Sequence, residues 1–378
     1  MGYNFPTSPT EGFIHWIGEN ERSYVFTNGV WSRRAGTALP KNYLTNPAFQ
    51  ISDQNNLTDG SNVASLVMAE QWYAYYVLSD GVYRGQRLAL PTPGGSKHRL
   101  RMSMTTADTA MVAGEWLALG IILEGNRMAD FNFGNGAAAS KWGVLRFGCK
   151  APAGTYNVIL RNSAVTRSFI SPFTVPAALA NVDHVQVMVI PPCNGGVWAI
   201  NNTAWGFIQW VIFNANMTSN EWTWLNGNFA GGTSLTNTFQ KTVGNTFELF
   251  DVGFYLDSNI TGIVPEFVVP HIEDDHRDCL RYWYRCTSGR GIASGTTVAY
   301  LYMPHFVPMR TTPNISVVGA LRIYDGAAPN IASINTNACT SEYFGAVVNT
   351  AGLSASGRAV NILADSQNTN YIAVNARV

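Results

Sequence analysis

The chain is short of charge. Of its 378 residues 13% are charged, and Lys plus Arg matches Asp plus Glu at 24 each. No block of either sign builds the potential that a nucleic acid or an anionic bilayer demands, so neither is expected as a partner. Long apolar runs are missing too. The longest, Trp116 to Leu123, falls well below the roughly 20 residues of a spanning helix. The N-terminal stretch MGYNFPTSPTEGF has no basic region followed by an apolar one, which predicts no export signal and no membrane insertion. The cysteines, Cys149, Cys193, Cys279, Cys286 and Cys339, are odd in number and form no CxxC pair. That argues against a disulfide scaffold or a zinc ribbon and for buried free thiols made in a reducing cytoplasm. Nucleophile and phosphate motifs are also lacking: there is no GxSxG, no Walker loop and no GxGxxG after a strand. GNGAAASKWG is glycine-rich, but no phosphate-binding helix follows it. Nothing asks for a cofactor or a metal, and the expectation is a protein that is not an enzyme. A glycosidase stays open as the weaker alternative, because two carboxylates on separate strands leave no linear signature.

What the sequence does have is 35 Gly, 16 Tyr and 11 Trp among abundant Asn and Thr, a composition of strands and turns. The fold class expected is all-β. In YNVILRN the residues Tyr156, Val158 and Leu160 share a face; in HVQVMVI, Val185, Val187 and Val189; in ELFDVGFYL, Phe250, Val252, Phe254 and Leu256. Turn clusters such as PTPGGS, PPCNGG and FAGGTS separate these strands at intervals suited to an antiparallel sandwich. The N-terminal residues 1–43 stand apart, with prolines in NFPTSPTEG and a hairpin signal at Asn28-Gly29 inside SYVFTNGVW. This unit is too small for a core of its own.

The stretch HIEDDHRDCLRYWYRC, His271 to Cys286, reads as the one helix. Pro270 suits its first turn, Glu273, Asp274 and Asp275 crowd the positive end of its dipole, and Arg281 and Arg285 lie towards the other end. Ile272, His276, Cys279, Trp283 and Cys286 follow the spacing of a single buried stripe, which leaves the acids facing water or a neighbour. His271 and His276 stand roughly 140° apart around such a helix, and Cys279 and Cys286 about 10 Å apart along it. Neither pair converges on a metal, so the helix is structural.

Aromatic residues set beside amides are the positive signal. WTWLNGNF places Trp222 and Trp224 on one side of a strand, and VWAINNTAW sets Trp198 and Trp205 around Asn201 and Asn202. Indole faces attract the polarised C–H face of a sugar, and amides match its hydroxyls. These six residues are the candidate glycan contacts. For any one ring, filling the sandwich core is the competing role.

Several segments carry a likeness in order. LTNPAFQISDQ, AEQWYAYYVLSDG, GEWLALGIILEGNRMADFNFG, KWGVLRFGCKAPAGTYNVILRNSAVTRSFISPFTV, EWTWLNGNFAGGT and the block from FELFDVGFYL to DCLRYWYR resemble the jelly-roll, carbohydrate-binding-like module of bacteriophage tail fibre and related tail proteins. The likeness continues through FVPMRTTPNISV to the terminal YIAVNARV and spans about residues 44 to 378. It includes a first strand at NPAFQIS and a Cys-x-Arg-aromatic-aromatic finish at Cys279, Arg281, Tyr282 and Trp283. FPTSPTEG with SYVFTNGVW is similar to short attachment modules that begin phage fibres. The resemblance implies an N-terminal virion-attachment segment over 1–43, a jelly-roll domain over 44–270, a connecting helix over 271–288 and a C-terminal β-sandwich over 289–378. It further implies a virion structural protein, a homotrimeric tail fibre or receptor-binding protein that attaches to bacterial surface glycans. Phe5, Pro6, Pro9 and Trp31 are then the candidate contacts to a phage tail, adaptor or capsid protein. The alternatives are a head fibre, collar or capsid decoration protein without a ligand, and a polysaccharide depolymerase.

Overall fold

The structure, a computed structural model, describes residues 9–10, 14–17, 22–27, 29–33, 40–55, 66–78, 80–110, 112–136, 138–215, 218–236, 238–257, 260, 262–324, 331–350, 352–353, 356–364 and 370–377. The chain forms two compact units, Met1–Tyr43 and Leu44–Val378. The first holds an antiparallel sheet of β1 (Ile14–Ile17), β2 (Arg22–Thr27) and β3 (Val30–Arg33). Gly29, at φ 77°, turns β2 into β3, a conformation that costs glycine nothing. Phe26 and Trp31 sit directly opposite across this hairpin, their rings 5.3 Å apart. Phe5, Pro6 and Asn28 lie outside the described residues.

The second unit begins with a sandwich of two sheets. One is built, in spatial order, from β15 (Trp224–Asn226), β11 (Arg167–Val175), β10 (Gly154–Asn162), β13 (Ala204–Asn214), β8 (Trp116–Glu124), β5 (Trp72–Val77) and β4 (Leu66–Ala69). The other runs β12 (His184–Ile190), β9 (Gly143–Lys150), β17 (Thr246–Leu256), β7 (Arg99–Thr106) and β6 (Val82–Leu88). A parallel pair, β14 (Thr218–Ser219) with β16 (Gly231–Gly232), and a single turn of helix, α1 (Gly125–Met128), lie outside these sheets. Alternation puts Trp72, Ile121, Ile208, Leu160 and Phe169 in one cross-strand row on the inner face, and all five are buried. Phe147 on the opposing sheet meets this face at Trp210 (5.5 Å) and Phe173 (5.1 Å), so aromatic side chains close the gap of about 10 Å between packed sheets.

Two of the strands present other faces than their apolar pattern predicts. Val185 and Val187 are each 44% exposed, while Met188 and Ile190 turn inward; β12 is the edge of its sheet, and its larger side chains fill the core. In β17 a bulge between Phe250 and Gly253, with Asp251 at φ 50°, reverses the alternation. Phe254 therefore stacks inward on Phe131 at 4.7 Å, whereas Phe250 lies outward over Gly148, where any Cβ would fall 2.0 Å from its ring.

The helix, α2, is shorter than its charge pattern predicts: Ile272–Leu280. Trp283–Cys286 forms β18, paired with β26 (Tyr371–Asn375), because aromatic residues that find a strand partner gain more there than in another turn of helix. The expected stripe is thus broken. Ile272 is 55% exposed, and the buried helix face is Asp275 and Cys279, four residues apart. Asp275 does not face water; its Oδ1 accepts the Asn46 N–H at 2.9 Å.

The remaining strands form a second sandwich within the same unit. β18, β26 and β21 (Asn314–Val318) make one sheet. The other contains β22 (Leu321–Tyr324), β25 (Ala359–Ala364), β19 (Ser288–Ala293), β20 (Val298–Pro304), β24 (Tyr343–Thr350) and β23 (Ile331–Cys339). Leu301, Ile323, Phe344, Val348, Ile372 and Val374 lie at its core. Buried carboxylates join it to the first sandwich. Glu124 accepts from Arg281 at 3.0 Å and from the Tyr282 hydroxyl at 2.6 Å. Glu70 accepts from Arg377 at 2.6 Å and from the Gln54 N–H at 2.9 Å. The architecture is all-β apart from its short helices, as the sequence predicts.

Candidate functional site

The six residues singled out from the sequence do not form an open site. Trp198 and Trp205 are 7% and 1% exposed. They pack 4.3 Å apart against Phe133, with Trp224 edge-on to Trp198 at 5.6 Å. The Trp198 indole N–H donates to the Gly195 carbonyl (3.1 Å) and that of Trp224 to Pro191 (2.9 Å). Trp198 and Trp205 are core, the competing role considered above, and Trp224 is half-buried against them. Asn201 accepts from the Thr203 N–H and hydroxyl at 3.0 and 2.7 Å and so fixes its own loop, and Asn202 accepts from the Asn126 amide and ties that loop to α1. Trp222 and Trp224 share no strand. Trp222 precedes β15 at φ 64°, is 58% exposed and donates its backbone N–H to Ile170 at 2.8 Å. It alone of the four indoles offers an open face. A bulky residue at positive φ costs energy that packing elsewhere must offset.

A different set of residues converges. Between the two sandwiches lies a cleft of about 720 Å³, lined by Gln50, Ser52, Asp53 and Arg87 from the first and by His276, Leu280, Tyr284, Arg285, Thr287 and Phe306 from the helix and the second. The wall contributed by residues 50–53 exists because the NPAFQIS segment is not the strand the resemblance implies: residues 40–55 follow an irregular path. Asn46, at φ 53°, organises it. Its side-chain amide donates to the carbonyls of Ile51 (2.8 Å) and Glu70 (3.1 Å), and its Oδ1 accepts the Ile51 N–H (3.1 Å). Gln50 is then held by the Pro270 carbonyl at 3.0 Å, and Ser52 by Met68 at 3.3 Å.

At the mouth, His276 Nε2 pairs with Asp53 Oδ2 at 2.9 Å, both side chains 44% exposed. Arg285 donates to the Gln54 carbonyl at 2.8 Å and stacks over Tyr371 at 4.8 Å, so its charged plane is fixed before any ligand arrives. Arg87 donates to the carbonyls of Phe49 and Gln50 at 3.3 and 3.4 Å, and burial lowers its pKa. Phe306 stands 70% exposed, edge-on to Tyr284 at 5.0 Å. The Tyr284 hydroxyl donates to His305 Nδ1 at 2.7 Å, and His305 Nε2 donates to the Thr340 carbonyl at 3.2 Å. Burial pushes the Tyr284 phenol up and the His305 imidazole down, so both stay neutral near pH 7.

The cleft therefore combines one exposed aromatic ring with fixed guanidinium groups, an imidazole–carboxylate pair, an amide and hydroxyls. Asp53 is the single carboxylate among the lining residues, whereas glycoside hydrolysis uses two across the scissile bond. Among the described residues, no group of three or more His, Cys, Asp or Glu side chains could hold a metal. Sequence reading misses Gln50, Asp53 and Phe306 because they gather only when two sandwiches meet. The legible trace is the Cys-x-Arg-aromatic-aromatic finish: Cys279 is buried under the helix, Arg281 and Tyr282 reach Glu124, and Trp283 packs on Tyr371.

No protein-family model matches the chain, and neither does any curated protein. Among solved structures it is similar to the enzymatically active domain of bacteriophage CBA120 tailspike protein 4, at 11% identity over 57% of this chain and 21% of that one, TM-score 0.32. It is also similar to the family 11 carbohydrate-binding module of a cellulosomal cellulase of Clostridium thermocellum, at 9% identity over 53% of this chain and 96% of that one, TM-score 0.28. A third likeness is to TmCBM61 in complex with β-1,4-galactotriose, at 10% identity over 57% of this chain and 99% of that one, TM-score 0.27. At these scores the likenesses carry no argument about this chain's ligand.

Proposed function

We propose that the chain is a bacteriophage virion structural protein, a trimeric tail fibre or receptor-binding protein, that attaches to host surface glycans without cleaving them. The observation that carries the glycan reading is the cleft between the sandwiches, where the open ring of Phe306 faces a wall of amide, hydroxyl and guanidinium groups. A pyranose presents C–H groups on one face and hydroxyls around its rim, and this lining answers both. The virion reading rests on the ordered series of segments that resembles phage tail proteins. In it, the N-terminal sheet with Pro9 and Trp31, preceded by Phe5 and Pro6, grips a tail, adaptor or capsid protein. Weak single-site binding suffices when several copies are fixed on one particle, because linked sites act at high effective concentration.

The test uses the full-length chain on an array of bacterial glycans and in adsorption to host cells, beside a Phe306→Ala variant. Binding of an array glycan that falls about tenfold or more in Phe306→Ala, the scale of a lost aromatic anchor, with unchanged polysaccharide chain length, supports the reading. Binding to no glycan and no host fraction, or shortening of the polysaccharide, would count against it.

A further inference from the structure

The outer face of the six-stranded sheet carries a second concavity, of about 550 Å³, whose lining includes Ser288, Arg290, Tyr302, Pro304 and Asn361. Strand alternation explains why these side chains meet. Ser288, Arg290 and Ile292 point outward from β19, and Tyr300, Tyr302 and Pro304 from β20, with Gly291 paired to Leu301 between the two rows. On the other side Arg290 is directly opposite Asn361 of β25. Tyr302 is 57% exposed, and its partner on β24 is Gly345, which has no side chain to cover the ring's flank. Tyr343, 38% exposed, stands 6.5 Å from it.

This concavity differs from the cleft, which Asp53 lines, in its acidic groups. No carboxylate lines it, and among the described residues the exposed Arg290 has no ion-pair partner. An open phenol ring, a guanidinium fork and an amide within one shallow pocket suit a ring with a C–H face, a carboxylate and hydroxyls. We infer that this pocket is a second saccharide site, selective for sugars that carry a carboxylate. It goes beyond the cleft proposed above and stands on separate residues, so one chain holds two glycan sites.

The experiment titrates the full-length chain with oligogalacturonate and, separately, with neutral cellohexaose, and measures the oligomeric state by light scattering in parallel. The expected result is oligogalacturonate binding that weakens with salt and falls about tenfold or more in both Arg290→Gln and Tyr302→Ala, the scale of one charged hydrogen bond. Phe306→Ala should leave that binding intact, which separates this site from the cleft. Failure of Phe306→Ala to affect any glycan would remove the cleft but leave this pocket standing. Unchanged binding in Arg290→Gln, absence of oligogalacturonate binding, or a Tyr302→Ala variant that dissociates an oligomer without altering binding would each overturn the inference; the last outcome identifies the face as a contact between chains.

Discussion

Asp275 is a carboxylate buried at the joint between helix and sandwich with only partial compensation. It accepts one backbone N–H from Asn46 at 2.9 Å and lies 3.5 Å from the Gln50 amide. Burial raises its pKa from 3.8 to about 6. Because the folded state holds this proton more tightly than the unfolded one, stability falls as pH rises from about 4 to 6 and returns on acidification. Asp275→Asn keeps the acceptor for Asn46 and removes the charge. Urea unfolding at pH 5 and 7 should therefore show the variant gaining on the parent at pH 7, by up to about 3 kcal/mol for a shift of this size, and matching it more closely at pH 5. A variant less stable at pH 7 would contradict the assignment. The cysteines obey the same physics. Burial raises the thiols of Cys149 and Cys279, so neither should react with a thiol reagent at pH 8 in the folded protein, and both should after unfolding. Labelling of native Cys149 or Cys279 as fast as of the unfolded chain would sink that expectation. At the same scale, the sequence shows which residues are aromatic but not which are exposed. Trp198 and Trp205 differ from Phe306 only in where the chain carries them, and no local pattern around Phe306 announces a cleft.

Strand existence was legible in the sequence wherever alternation was strong, and strand facing was not. HVQVMVI alternates valine with larger or polar residues, and on β12 the valines lose the core to Met188 and Ile190. Substitutions can read this directly. Val187→Thr should change stability by less than about 0.5 kcal/mol, the range of ordinary surface changes, whereas Met188→Thr should cost about 2 kcal/mol or more through lost burial. Equal losses measured by chemical denaturation would mean that the strand faces the other way. On β17 a bulge at Asp251 defeats any fixed period, and its compensation is non-local. The Asp251 carboxylate accepts from Thr92 (2.7 Å), Ser96 (2.5 Å) and the Gly94 N–H (2.8 Å), holding a loop that follows β6. The helix boundary differs for a related reason, since the stripe of five residues extends in sequence through Trp283 and Cys286 while their strand partner lies near the C-terminus. Arg310 closes that terminus. Its guanidinium donates to the carbonyls of Ala376 (2.9 Å), Arg377 (3.0 Å) and Asn202. Arg310→Ala leaves these acceptors without their donor and should cost about 2–4 kcal/mol. Arg310→Lys should fail to restore the loss, because an ammonium cannot reproduce the planar fork. A thermal melt of Arg310→Lys that matches the parent would refute this.

At the scale of the whole molecule, two sandwiches share one compact unit because polar residues at their border are paired with each other rather than with water. Glu70 with Arg377 and Glu124 with Arg281 and Tyr282 hold the two sets of sheets together. The cleft is the part of that border left open, and its walls come from segments far apart in sequence. The proposed glycan reading rests on this placement, which sets fixed guanidinium groups beside one exposed ring. Trimeric assembly is a proposal of the same scale. Sedimentation of the full-length chain should give three times the 41.2 kDa of one chain, and a monomer at micromolar concentration would contradict it. The most direct measurement is a crystal structure of the full-length chain soaked with a glycan that it binds on an array. The expected result is a sugar ring stacked on Phe306 with hydroxyls within hydrogen-bond reach of Gln50, Arg87 or Arg285. Sugar bound only at the Trp222 surface, or a cleft filled by a neighbouring side of the same protein in a trimer, would contradict the central claim.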